Sequence, residues 1–330
     1  MLAAPRPAST GRFRAPGLPG AGPAPSFSPG PRLQPSPRTP DPGSRLAWDV
    51  TEGLPRPDAS GRDRRSPTPA AVRKREAIRH LKSALAQHRI GLDYQPIAAA
   101  SDRRPHSVEA LLRWHEPDRD GYDIAELIRA AERSPVIFRL ENWALDQCCR
   151  AAAAWQDARP GLRVNVNLSA REFHHTDLVS RVDRQLRAAA LPAEVLALEI
   201  TEASTISEFG VVSGQFQGLA EMGVERWLDD FGTGHSSLEW LSHLSLTGLK
   251  IPKTFVDRLG TERRCDVIVA RVLELAHDLG LRVIAEGVER EEQLAFLLEH
   301  RCDLIQGFLF FAPMPAAELG AALAPAFGGV

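Results

Sequence analysis

The stretch Trp227-Leu228-Asp229-Asp230-Phe231-Gly232-Thr233-Gly234-His235-Ser236-Ser237 decides how the chain is read. An apolar, strand-like run stops at two adjacent carboxylates, and a turn containing two glycines follows. Gly232 and Gly234 permit backbone angles that side chains resist. A strand ending in two acids cannot bury both charges without partners. Alone, such a pair is ordinarily a solvated strand end. Here it has company, because other apolar runs of the chain also end in an acid or an amide.

Working outward, the 330 residues suffice for one large domain or two small ones. A formal net charge of -2 gives no argument for nucleic acid or a membrane surface as partner. Cys148, Cys149, Cys265 and Cys302 form no C-x-x-C pair, which speaks against structural zinc and for a reducing compartment. The start of the chain shows no apolar secretory core, so the expected location is cytoplasmic. No apolar run approaches the roughly 20 residues of a membrane helix. Residues 1–72 are rich in Pro, Gly, Ala, Ser and Arg, as in Gly22-Pro23-Ala24-Pro25-Ser26, and lack periodicity. Such a composition predicts a disordered tail ahead of a folded domain over 73–330.

The domain opens with an amphipathic helix in which Ile78, Leu81 and Leu85 share one face. Strands are expected at 91–96, 107–112, 163–168, 195–201, 225–230, 248–251, 282–285 and 303–308. Helices such as 143–155, 178–189 and 267–279 alternate with them. This alternation argues for an α/β fold with a parallel sheet, and the strand number suggests closure into a barrel of typical length, roughly 250 residues. The runner-up, an open doubly wound sheet, lacks a G-x-G-x-x-G after the first strand.

In such a barrel the site lies at the carboxyl ends of the strands. Polar residues gather there: Glu109 with Arg113 beyond it, Asn165 and Asn167, Glu199 and Glu202, Asp229 and Asp230, Lys250, Glu286 with Glu289 beyond it, and Gln306. Each has an innocent reading as a strand-edge residue. Together they do not, because charges on buried parallel strands are costly unless paired or bound to metal. Converging acids repel one another, and divalent cations relieve that repulsion. Oxygen ligands favour Mg²⁺, Mn²⁺ or Ca²⁺ over zinc. Adjacent Asp229 and Asp230 suit two ions about 3.5–4 Å apart, the arrangement used in phosphoryl hydrolysis.

The motifs EALLRW (109–114), NVNLS (165–169), LEITE (198–202), DDFGTG (229–234), LKI (249–251), AEGVE (285–289) and QGF (306–308), in this order, resemble the EAL domain family over about residues 75–317. These are phosphodiesterases of the bacterial second messenger cyclic di-GMP. The resemblance implies a TIM-like (β/α)8 barrel with a modified first strand, often dimeric through the region after strand five. It implies two Mg²⁺ or Mn²⁺ ions, with Glu109, Asn167, Glu199 and Asp229 holding the first. Asp229 and Asp230 would hold the second, with Glu286 close by. Lys250 would contact the nucleophilic water and the phosphate, and Gln306 would help position the water. Arg113 would bind phosphate, Gln95 would lie near the nucleotide, and Glu202 and Glu289 would hold the strand-five loop. The implied reaction is hydrolysis of cyclic di-GMP to linear 5′-pGpG.

The chain departs from the family pattern at Pro252, where Asp is usual, at His235, where Tyr is usual, over 115–142, and at Ala312. These departures define the alternative of a non-enzymatic receptor for cyclic di-GMP or a protein-interaction module. A third reading is a hydrolase for another phosphodiester.

Overall fold

Two layers of side chains inside a closed barrel organise the structure. The computed structural model describes residues 68–114, 122, 124–132, 134–173, 175, 177–201, 209–233 and 237–323. The expected tail therefore lies outside the described residues, except for 68–72. The elements run α1 (Pro69–Ala86), β1 (Ile90–Ala99), β2 (Pro105–Trp114), α2 (Ile124–Ala131), α3 (Val136–Trp155), β3 (Arg163–Leu168), α4 (Ala170–Phe173), α5 (Leu178–Ala188) and β4 (Leu196–Thr201). They continue with α6 (Phe209–Met222), β5 (Glu225–Asp229), α7 (Ser237–His243), β6 (Gly248–Ile251), α8 (Lys253–Val256), α9 (Arg263–Asp278), β7 (Arg282–Ala285), α10 (Glu291–Glu299), β8 (Leu304–Gln306), β9 (Met314–Pro315) and α11 (Ala316–Leu323).

Strands β2 to β8 pair in parallel and in sequence. The barrel is closed by β1, which lies between β2 and β8 and runs antiparallel to both. This is the modified first strand. β1 and β2 extend beyond the expected bounds because they form a hairpin paired from Ile90↔Trp114 to Ala98↔Pro105. The two-residue β9 adds to the outer part of β1 through Asp93↔Pro315 and Tyr94↔Met314. Helix α1 starts with Pro69 in its first turn, and Thr68 Oγ1 accepts from Ala71 N at 3.3 Å, a start signal with its cap.

Inside the barrel lies an apolar layer of Ile97, Ala197, Trp227, Ile284 and Leu304. Side chains alternate along a strand, so the residue two places on faces the same interior. On the parallel strands that residue is Glu199, Asp229, Glu286 or Gln306. On the reversed β1 the order inverts, and Gln95 precedes Ile97. One apolar layer thus carries a polar layer at the mouth. Gly248 makes room for it: a Cβ there would lie 2.4 Å from the Trp227 ring. At the opposite end, Glu225 lies 3.0 Å from Arg163 and 2.6 Å from Arg282, and Arg282 Nη1 donates to His106 Nε2 at 2.9 Å. Burial, with the nearby arginines, lowers the His106 pKa to about 4, so the ring stays neutral and accepts.

The helices cover the outer face with a large apolar core, in which Cys148 and Cys149 of α3 are both buried and free, and with a second, smaller one where Leu81 of α1, Ala131 of α2 and Leu140 of α3 meet. No helix among the described residues is long and apolar enough to cross a membrane.

Candidate active site

The polar layer centres on Lys250, whose side chain is fully buried. Its Nζ lies 2.6 Å from Glu286 Oε1, 2.9 Å from Glu199 Oε2, 3.0 Å from Glu109 Oε2 and 3.6 Å from Asp229 Oδ1. One ammonium faces four carboxylates, so negative charge is in excess. The titration behaviour follows. Burial, outweighed by the surrounding acids, leaves the lysine pKa well above its ordinary value. Burial, with repulsion from Glu109 and Asp229, pushes Glu199 well above the usual carboxylate range. Burial likewise raises Asp229, and takes Glu286 to about 8. Glu109 behaves differently: burial opposes its charge, but Lys250 and hydrogen bonds from Gln306 and Asn167 hold its pKa low.

Two asparagines of β3 serve this ring. Asn167 Nδ2 donates to Glu109 Oε1 at 2.8 Å, so only its Oδ1 is left to serve a cation. Asn165 Nδ2 donates to Glu199 Oε1 at 2.7 Å. Sequence reasoning gave Asn165 no role, although its place two residues before Asn167 puts both on the same strand face.

Asp229 and Asp230 converge, as the swing toward the mouth requires. β5 ends at Asp229 because Asp230 takes a left-handed backbone with φ 55°. Asp tolerates that region better than most residues. The turn breaks the strand alternation, and Asp229, Asp230 and Glu286 each bring one oxygen within 4.8 Å of the others. This donor set is all oxygen, and the raised carboxyls around it are groups that a divalent cation would hold ionised in place of protons. The residues present therefore fit a divalent-metal centre.

Gln306 Nε2 donates to Glu109 Oε2 at 2.8 Å and to Gln95 Oε1 at 3.0 Å. A cavity of about 400 Å³ opens above this layer, lined by Gln95, Glu109, Asp229, Glu286, Gln306 and the exposed Phe308, among others. Beside it a more apolar cavity of about 340 Å³ is lined by Arg113, Glu141, Asn167 and Ser169 among aliphatic side chains.

The remaining candidates stand apart from the ring. Arg113 Nε donates to Asp93 Oδ2 at 2.8 Å across the β1–β2 hairpin. Glu289 Oε1 accepts from Lys253 Nζ at 2.8 Å, and both line the larger cavity. Gly287 between the two loop acids has φ 68°, and the Lys253 stem lies against it. Asp93 and Lys253 were not foreseen, since each is a lone charge whose partner is distant in sequence. Glu202 and His235 lie outside the described residues.

Comparison with known proteins agrees with this geometry. Residues 78–313 match the EAL domain family. The chain is 37% identical over 250 residues to the cyclic di-GMP phosphodiesterase NbdA of Pseudomonas aeruginosa, covering 76% of this chain and 32% of that protein. It is 36% identical over 238 residues to the signalling protein YkoW of Bacillus subtilis, covering 72% of this chain and 30% of that protein. The chain thus spans about a third of the length of these curated relatives. Among solved structures, the PaMucR phosphodiesterase in complex with cyclic di-GMP superposes with a TM-score of 0.69 at 36% identity, over 74% of this chain and 99% of that one. The eight-stranded barrel with its reversed first strand and the motif order agree with the match, and the chain belongs to the EAL domain family.

Proposed function

We propose that this protein is a metal-dependent phosphodiesterase that hydrolyses cyclic di-GMP to linear 5′-pGpG. The observation that carries the reading is the ring of buried acids at the barrel mouth, whose charge one lysine does not balance. The name of NbdA and the cyclic di-GMP bound to PaMucR support the choice of substrate.

Glu109, Asn167, Glu199 and Asp229 would hold one Mg²⁺ or Mn²⁺, and Asp229 with Asp230, near Glu286, a second. Cations so held lower the pKa of water and neutralise phosphoryl charge. The residues of the chain do the rest. Water attacks one phosphorus in line with the ribose 3′ oxygen, which leaves and takes up a proton. Lys250 and Arg113 stabilise charge on the phosphoryl oxygens. Glu286, 2.6 Å from the lysine nitrogen, keeps that ammonium in place. Both amide hydrogens of Gln306 are spent on protein acceptors, which leaves its Oε1, buried without a protein partner, as the atom that would accept from the water. The same proposal includes a homodimer through the region after β5, where Leu238 of α7 is 69% exposed.

The alternative of a receptor without turnover rests on Pro252. It is buried and starts α8, with φ -69° and ψ 154°, and it offers no carboxylate beside Lys250. Incubating the purified protein with cyclic di-GMP and Mg²⁺ or Mn²⁺, then resolving the products, tests the proposal. Formation of pGpG that EDTA abolishes is expected. Binding without product selects the receptor, and cleavage only of other diesters selects a different hydrolase.

A further inference from the structure

The mouth of the barrel contains a chain of amides whose direction is set at both ends by groups that can only accept. At one end the backbone carbonyl of Phe311 receives Gln95 Nε2 at 3.0 Å. Gln95 Oε1 then receives Gln306 Nε2 at 3.0 Å, and that same nitrogen donates to Glu109 Oε2 at 2.8 Å. A carbonyl has no hydrogen to give, so the Gln95 amide must turn its nitrogen toward Phe311. Its oxygen therefore faces Gln306, which must answer with its nitrogen. The ionised Glu109 demands the same orientation from the other side. Gln95 and Gln306 are 8% and 5% exposed, so water does not compete for these bonds.

The consequence falls on the one atom left over. Gln306 Oε1 is buried without a protein partner and belongs to a residue that lines the reaction cavity. A flipped Gln306 would present its nitrogen there, a donor where the attacking water needs an acceptor. Resting on the phosphodiesterase reading above, we infer that Gln95 is a positioning residue that fixes the orientation of the Gln306 amide and so aims its oxygen at the water. The reversed β1 makes this possible, because it seats Gln95 opposite Glu109 on one side and brings Ile97 opposite Gln306 on the other. The Phe311 carbonyl belongs to the connection from β8 to β9, and β9 is itself paired to β1. This role differs from the nucleotide contact that family resemblance implies for Gln95. A contact residue affects affinity; an orienting residue affects the chemical step.

The test compares wild type, Gln95→Met, Gln306→Leu and the double variant, with melting curves to confirm the fold. Turnover of cyclic di-GMP and its equilibrium binding are measured for each. Gln95→Met is expected to lower kcat about 10- to 100-fold, the range typical of groups that orient catalytic ones. Binding and KM should stay within about twofold of wild type. In the Gln306→Leu background, losing Gln95 should cost nothing further, because Gln95 acts only through Gln306. A rise in Kd and KM with kcat intact would make Gln95 a substrate contact and overturn the inference. So would additive losses in the double variant, or no loss in Gln95→Met. If Gln95→Met does not fold, Gln95→Ala, which likewise removes the acceptor facing Gln306, is put through the same comparison. A wild-type protein that binds cyclic di-GMP without turnover refutes the phosphodiesterase reading itself, and that failure shows in the wild type alone.

Discussion

Replacing Lys250 by Met removes the only ammonium among four carboxylates while roughly keeping the volume of the side chain. Lys250 is 0% exposed and lies 2.6–3.6 Å from Glu286, Glu199, Glu109 and Asp229, so solvent cannot take its place. Breaking a buried ion pair from one side costs about 3–5 kcal/mol, because the remaining charge is left uncompensated. For a domain of this size each kcal/mol lowers the melting temperature by about 2–4 °C, so in EDTA the variant should melt about 6–20 °C below wild type. Acid should narrow the gap. Glu199, Asp229 and Glu286 all have raised pKa values, Glu286 to about 8, and protonation removes the repulsion that the lysine offset. Those values hold with Lys250 in place, and losing its lowering influence raises them further, so the deficit should grow as pH rises through about 8 and be smaller below it. Mn²⁺ should raise the melting temperature of Lys250→Met more than that of wild type, since the cation supplies the missing charge. Saturation at about 100 times Kd would return about 2.7 kcal/mol. The assay is differential scanning fluorimetry at several pH values, with EDTA or Mn²⁺. A variant that melts within about 2 °C of wild type in EDTA near pH 8 would refute the argument, as would equal Mn²⁺ stabilisation of both proteins.

Glu109→Ala, Asn167→Ala and Asp229→Ala should each abolish hydrolysis with the fold retained, and calorimetric titration with Mn²⁺ should show weakened binding; near-normal turnover in Glu109→Ala refutes the ligand assignment. Glu141 has its pKa raised to about 9 by burial, above its ordinary value near 4.5, and accepts from Ser169 N at 2.5 Å. A raised carboxyl contributes stability that is present below its unfolded pKa and lost as pH rises through its folded one. Glu141→Gln mimics the protonated form, so it should match wild type near pH 5 and be the more stable protein near pH 9; parallel melting curves at both pH values would refute this. Pro252→Asp restores a carboxylate two residues beyond Lys250 and places a capping side chain at the start of α8. It should raise turnover about 10- to 100-fold and stability by about 1 kcal/mol; unchanged kinetics in a variant that still binds substrate would show that the proline is innocent.

Period-two alternation and the polar strand ends were readable along the chain, because face and spacing are local properties. They placed β3, β6 and β7 and gathered Glu109, Glu199, Asp229, Lys250, Glu286 and Gln306 at one mouth. The family match over residues 78–313 agrees with the motifs that carried the resemblance. Strand direction is another matter, since alternation has no polarity. β1 runs backwards because residues 100–104 connect it to β2, a link too short for the crossover of a dozen or more residues that parallel strands need. That spacing was present in the sequence, but only the paired hairpin shows how it delivers Asp93 and Gln95 to the mouth. The partners of charges were likewise decided by tertiary structure. Lys250 meets Glu109 across 141 positions, and Gln306 meets Gln95 across 211. No local pattern encodes such pairs; closing the barrel creates them by bringing the last strand against the first.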